Sequence, residues 1–238
     1  MSTAERARKA VLSCDLLMLA AVLFVVLVTA AVILYPGSDR LDSGTSHYSF
    51  SRNFLSELGQ TRTFAGQANY PSMVLFIVVV SLVGLALILF GLNHWVVWRE
   101  RMRGRALVEA SLAACVLSGV GFIAIAANPQ NLNSTSHVIA TRFAFFFLLV
   151  YIILLLAMQA LNGWDRRLIY ANAVYLLLLA AYVALISSGV DMDTESGLVT
   201  LVVAQKVVIL ASIIDLGLQA HGMKKAAAIV MVESKTTK

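Results

Sequence analysis

Residues 11–35 read VLSCDLLMLAAVLFVVLVTAAVILY, a run broken by a single charge, Asp15. A helix of about 20 such residues crosses a hydrocarbon core roughly 30 Å thick. The run follows Arg6, Arg8 and Lys9, as the core of a secretory signal does. It is longer than the roughly 7 to 15 apolar residues of such a signal, and no small-residue cleavage site ends it. We read it as a retained first membrane helix.

Five further runs of the same kind follow, at about 72–92, 106–127, 138–161, 168–188 and 198–219. The composition agrees, with 60% apolar and 13% charged residues and a mean hydropathy of +0.84, where a soluble domain carries about 25% charged residues. None of the runs alternates as a barrel strand does, so helices are implied. The expected fold is an all-α integral membrane protein, a six-transmembrane-helix bundle forming one domain over residues 1–222. A cytoplasmic tail, 223–238, contains an apolar patch at 226–232 that is too short to span and is expected on the inner surface.

Of the 18 Lys and Arg residues, most fall before the first run, between the second and third, between the fourth and fifth, or after the sixth. The opposite side carries only Arg40, Arg52 and Arg62, while Arg142 and Lys206 lie within runs. By the positive-inside rule both termini are cytoplasmic, and a prokaryotic inner membrane is the expected location. Topology thus accounts for the pI of about 9.4, which gives no support to a nucleic-acid partner. Cys14 and Cys115 lie in different runs and offer no disulfide framework.

Small residues recur every four positions in the third run, as Ala110, Ala114 and Ser118 beside Ser111, Cys115 and Gly119. Gly84 and Gly91 form a similar seam in the second. Such faces allow close helix packing.

The polar island is residues 49–66, SFSRNFLSELGQTRTFAG, in the long loop after the first run. At 100° per residue, 50–60 projects as a short amphipathic helix in the first outer loop, with Phe50, Phe54, Leu55 and Leu58 on one side and Asn53, Ser56 and Gln60 on the other. Glu57 falls at the edge. Ser49 or Ser51 could cap its start and Gly59 its end. Its apolar face is expected on the bundle and its polar face toward a neighbour or water.

Lys206 falls near mid-membrane, where an ammonium costs at least roughly 2.5 kcal/mol and needs a partner or a wet cavity. Arg142 enters the fourth run about one turn below His137. We therefore expect an outward-facing polar cavity with ligand-binding residues Asn53, Ser56, Glu57, His137, Arg142 and Lys206, its anionic partners drawn from Glu57, Asp191, Asp193 and Glu195. Asp15, Glu109 and Asp215 form a second set near the other membrane face, expected to pair with the basic residues there. A half-turn mismatch between Asp215 and Lys206 argues against a proton relay joining them. No histidine pair, HExxH motif or cysteine pair suggests a metal, and no cofactor is implied.

The segment NFLSELG at 53–59, after a first membrane span, together with Ser136-His137 opening an aromatic-rich fourth span, resembles the bacterial and archaeal membrane-protein family called domain of unknown function 998. That resemblance implies a six-helix outline and no mechanism. A more distant likeness to ceramidase-like intramembrane hydrolases breaks down at the last helix, where His221 stands without the paired histidine of HxxxH. The leading functional expectation is binding or transport of a membrane lipid or other amphiphile. The alternatives are an intramembrane hydrolase or transferase using Ser56, Glu57 or His137, and a ligand-free scaffold.

Overall fold

The computed structural model describes residues 3–99 and 102–236. Among these, six helices are long and apolar enough to cross a membrane. They are α1 (Thr3–Leu34), α2 (Tyr70–Trp98), α3 (Arg105–Ala127), α4 (Ser134–Leu161), α5 (Arg166–Ser187) and α6 (Glu195–Thr236). The chain is an integral membrane protein. Each helix packs against its neighbours in sequence, and α6 closes back on α1, so the bundle is a ring. Arg101 and Lys238, two of the basic residues that set the expected orientation, lie outside the described residues.

Large apolar side chains face outward on every side of the ring, among them Ile33 on α1, Ile139 on α4, Leu177 on α5 and Leu210 on α6. That pattern suits a lipid surround. Inside, one cluster near the long loop gathers Val28, Ala31, Leu58, Phe76 and Val79, and a larger one nearer the termini gathers Leu87, Phe90, Leu148, Tyr151 and Leu179.

α2 and α3 approach closely, and the cause is the small-residue seam. A Cβ added to Gly84 would stand 2.6 Å from the carbonyl oxygen of Gly119, and the reverse holds for Gly119. The backbones meet where any side chain would part them. One residue before Gly119, Ser118 Oγ of α3 donates to the Ala144 carbonyl of α4 at 3.0 Å, carrying the tight packing to the next helix.

α6 outlasts its apolar run. It continues through residues 223–236, so the patch expected on the membrane surface is a continuation of helix. Nothing in His221, Lys224 or Lys225 stops a helix; polarity marks where the membrane ends, while helices end at caps and breakers. Ala227, fully buried, packs with Ala7 and Ala10 of α1 and against Trp98. Side chains beyond Ala227 lie outside the described residues.

The loop between α1 and α2 holds one regular element, the 3-10 helix η1 (Leu55–Gly59). This corrects the expected helix over 50–60. The chain turns at 49–53, where Asn53 N–H bonds the Ser49 carbonyl at 2.9 Å. It then extends at Phe54, with φ −64° and ψ 151°, before η1 begins. Asn53 explains the break: its Oδ1 accepts from Ser49 N–H at 2.7 Å, a side-chain bond that competes with helix continuation. The interruption also turns the faces. Asn53 and Glu57 are 0% and 2% exposed and Leu58 stays buried as projected, while Phe50 at 71% exposed leaves the apolar side that the projection gave it. Gly59 supplies close approach in place of a left-handed cap, since a Cβ there would lie 2.7 Å from the Phe76 ring and the chain leaves η1 extended at Gln60.

Candidate functional site

η1 sits across one end of the ring and is tied to α6 by two buried side chains that are adjacent in sequence. Gln205 Oε1 accepts from Leu55 N–H at 2.8 Å. Lys206 Nζ donates to the Asn53 carbonyl at 2.6 Å. The Lys206 ammonium also lies 5.4 Å from the Tyr48 ring centroid and 5.0 Å from that of Phe50, within range for cation–π attraction. The exposed Phe50 thus shields the charge from above.

Asn53 is the hub of this latch. Its Nδ2 donates to the Ser38 carbonyl at 2.8 Å and to Glu57 Oε2 at 2.6 Å. Its carbonyl accepts from Tyr48 Oη at 2.8 Å as well as from Lys206. Ser38 presents its carbonyl from a left-handed conformation, φ 71°, the one non-glycine residue of positive φ among those described. Burial pushes the Glu57 carboxyl up from the ordinary 4.5 to about 7, while Asn53, the Phe54 backbone N–H and the Lys206 charge pull the other way. Glu57 and Lys206 act on each other electrostatically without forming an ion pair.

The loop's remaining charges tie its rim to the start of α6. Arg40 pairs with Asp193 at 2.8 Å, and Arg52 pairs with Glu195. Two of the carboxylates expected to serve Lys206 and Arg142 are therefore engaged by loop arginines.

Below η1 the ring lines a partly open cavity of about 120 Å³. Leu17, Phe24, Val80, Phe122, Phe145 and Ile209 contribute to its wall from α1, α2, α3, α4 and α6, and Leu55 and Ser56 form its roof. Its polar side chains are Ser56, Thr141, Gln205 and Ser212, and the rest of the lining is apolar apart from Gly217. The expected polar cavity is in this respect different: the wall is hydrocarbon, because the charged groups turn away from it and spend their bonds on the loop.

The six candidate ligand-binding residues divide accordingly. Asn53, Glu57 and Lys206 come together in the latch. Ser56 lines the cavity, with no hydrogen bond to Glu57 or His137 among the described residues. His137, at the start of α4, points Nδ1 at the Asn128 carbonyl, 2.7 Å away. Arg142 donates from Nε and Nη2 to the Ile186 carbonyl at 3.2 and 3.0 Å, capping the last turn of α5. Among the described residues, no group of three or more His, Cys, Asp or Glu is placed to hold a metal ion.

At the other end of the ring, Asp15 pairs with Lys224 at 2.6 Å and Glu109 with Arg105 at 3.1 Å, both with cations as expected. Asp215 departs from that expectation. It is 3% exposed and is bonded to Gln219 Nε2 at 3.0 Å, with no cation attached to it among the described residues. Sequence reading also missed Gln205, Tyr48 and Ser38. Only Gln205 carried a signal, as a polar residue beside Lys206 deep in an apolar run.

The chain matches no family model, no curated protein and no solved structure.

Proposed function

We propose that this protein binds a membrane amphiphile, taking its hydrocarbon portion into the centre of the helix ring beneath η1. The observation that carries the reading is the apolar cavity of about 120 Å³ roofed by Leu55 and Ser56. Apolar cavities of this order, roughly 150 Å³ in one engineered protein interior, stay dry and take up apolar ligands. In a ring of membrane helices the abundant apolar ligand is the acyl chain of the surrounding lipid. The hydroxyls of Ser56 and Thr141 and the amide of Gln205 supply the few polar groups that orient a ligand in such a site.

The latch gives the roof a fixed position. Lys206 and Gln205 hold η1 from α6, one helix that both lines the cavity and controls its cover. In this reading η1 faces the outside of a prokaryotic inner membrane with both termini in the cytoplasm, following the distribution of Lys and Arg. The likeness of 53–59 to the domain of unknown function 998 family is part of the proposal, and it rests on the segment that forms the latch.

The test is filling the cavity. Ala21 lines it from α1, and Ala21→Phe adds a ring where the ligand would lie. Lipid co-purified with the wild-type protein and with this variant is measured by native mass spectrometry. Loss of a stoichiometric lipid from a folded Ala21→Phe protein is expected; equal lipid in both overturns the proposal.

A further inference from the structure

α6 carries a second buried charge, on the face turned away from the cavity and toward α4 and α5. Asp215 Oδ1 accepts from Gln219 Nε2 at 3.0 Å. Gln219 Oε1 accepts from Gln159 Nε2 of α4 at 2.6 Å, and Gln159 Oε1 accepts from Asn172 Nδ2 of α5 at 3.2 Å. Gln159, Asn172 and Gln219 are each 1% exposed or less.

This chain of amides has a direction. Every link spends an N–H toward Asp215, so each amide polarises the next in favour of a negative charge on the carboxylate. The far end, Asn172 Oδ1, is left without a partner. At the near end, Asp215 Oδ2 is buried and also without a partner. Tyr151 and Tyr175 lie within electrostatic reach of Asp215. Tyr151 Oη is a third buried oxygen with no hydrogen bond, whereas Tyr175 Oη is engaged with Ser212 Oγ at 2.7 Å.

Among the described residues, no cation answers this charge. The titratable groups within electrostatic reach of Asp215 are Tyr151 of α4 and Tyr175 of α5, and the thiols Cys14 of α1 and Cys115 of α3 act in turn on Tyr151. Lys224 is bound to Asp15. Lys206 stands nine residues away, about 13 Å along the axis at 1.5 Å per residue, and is bound to Asn53. An isolated carboxylate in the membrane interior is costly unless a positive charge joins it.

We propose that Asp215 is a binding site for a small monovalent cation, a proton or a sodium ion, taken up at Oδ2 within the bundle. The amide chain favours the charged carboxylate and so keeps it from holding a proton permanently. The open Oδ2 of Asp215 is a hard donor of the kind such a cation takes. This site stands independently of what occupies the central cavity.

The test uses purified full-length protein in detergent, titrated from acid to alkaline pH in sodium chloride and in choline chloride. Infrared difference spectroscopy reads the carbonyl stretch of protonated carboxylic acids. A titrating band present in wild type and in Glu57→Gln but absent from Asp215→Asn is expected. The same midpoint in both salts identifies a proton site, and a band that sodium suppresses in wild type identifies sodium competing at the same oxygen. If Asp215→Asn retains every titrating band and every sodium response of wild type, the proposal fails. Gln219→Met keeps Asp215 and removes one hydrogen bond to its charge, so proton binding should tighten about tenfold; an unchanged midpoint there overturns the proposal even if Asp215→Asn does not fold.

Discussion

α6 buries two charges nine residues apart, and they are handled in opposite ways. Lys206 meets a backbone carbonyl, two aromatic rings and the field of Glu57, so its charge is absorbed in holding the loop. Asp215 meets only neutral amides and leaves one oxygen open. A buried charge with complete partners is a brace; one whose partners favour the charge without neutralising it is a place for something else to bind. The same helix thus supplies the roof fastening of the cavity and, a few turns on, an unfilled site.

The largest effect that sharpens this contrast concerns Glu57. Its carboxyl is raised in the folded state, so the protonated form is favoured by folding. The resulting stability is fully present below 4.5, the ordinary value, and is lost as pH rises through about 7. Thermal unfolding followed across that window should show the wild type losing roughly 3 kcal/mol, with Glu57→Gln nearly flat over the same range. Parallel curves for the two proteins would remove Glu57 from the latch.

Next comes the direct comparison of the two charges. Lys206→Met strips the Asn53 carbonyl of one donor and frees the loop from α6, at a cost of about 2 kcal/mol. Asp215→Asn removes a charge that has no counter-ion, so its effect should be within about 0.5 kcal/mol of zero or stabilising. Denaturation of both variants at neutral pH measures this, and equal losses would break the distinction between brace and site. Smaller than the loss from Lys206→Met is that from Arg142→Gln, which removes an exposed cap from α5 and should cost less than about 1 kcal/mol without altering bound lipid.

The six spans were legible because lipid imposes length and apolarity on each, and the seam of Gly84 with Gly119 was legible because close approach demands small residues. The loop was legible only in composition. A helical projection of 50–60 assumes one continuous helix, and the Asn53 side chain breaks it, so Phe50, projected onto the bundle, is exposed while Asn53 is buried. The convergence of Asn53, Glu57 and Lys206 depends on a fold-back of the long loop that no local spacing encodes. Asp215 was misplaced among ion pairs because sequence distance to basic residues says nothing of which helix face a side chain occupies. There it meets Gln159 and Asn172, which lie on helices remote in sequence.

The central claim is that the ring holds the apolar part of an amphiphile beneath η1. A cryo-electron microscopy map of the full-length protein in lipid nanodiscs, at a resolution that shows side chains, tests it most directly. The account predicts elongated density running between Phe24, Phe145 and Ile209 below Ser56, continuous in shape with an acyl chain. A cavity in the same map that is collapsed, or that contains only isolated water-sized peaks, would contradict it.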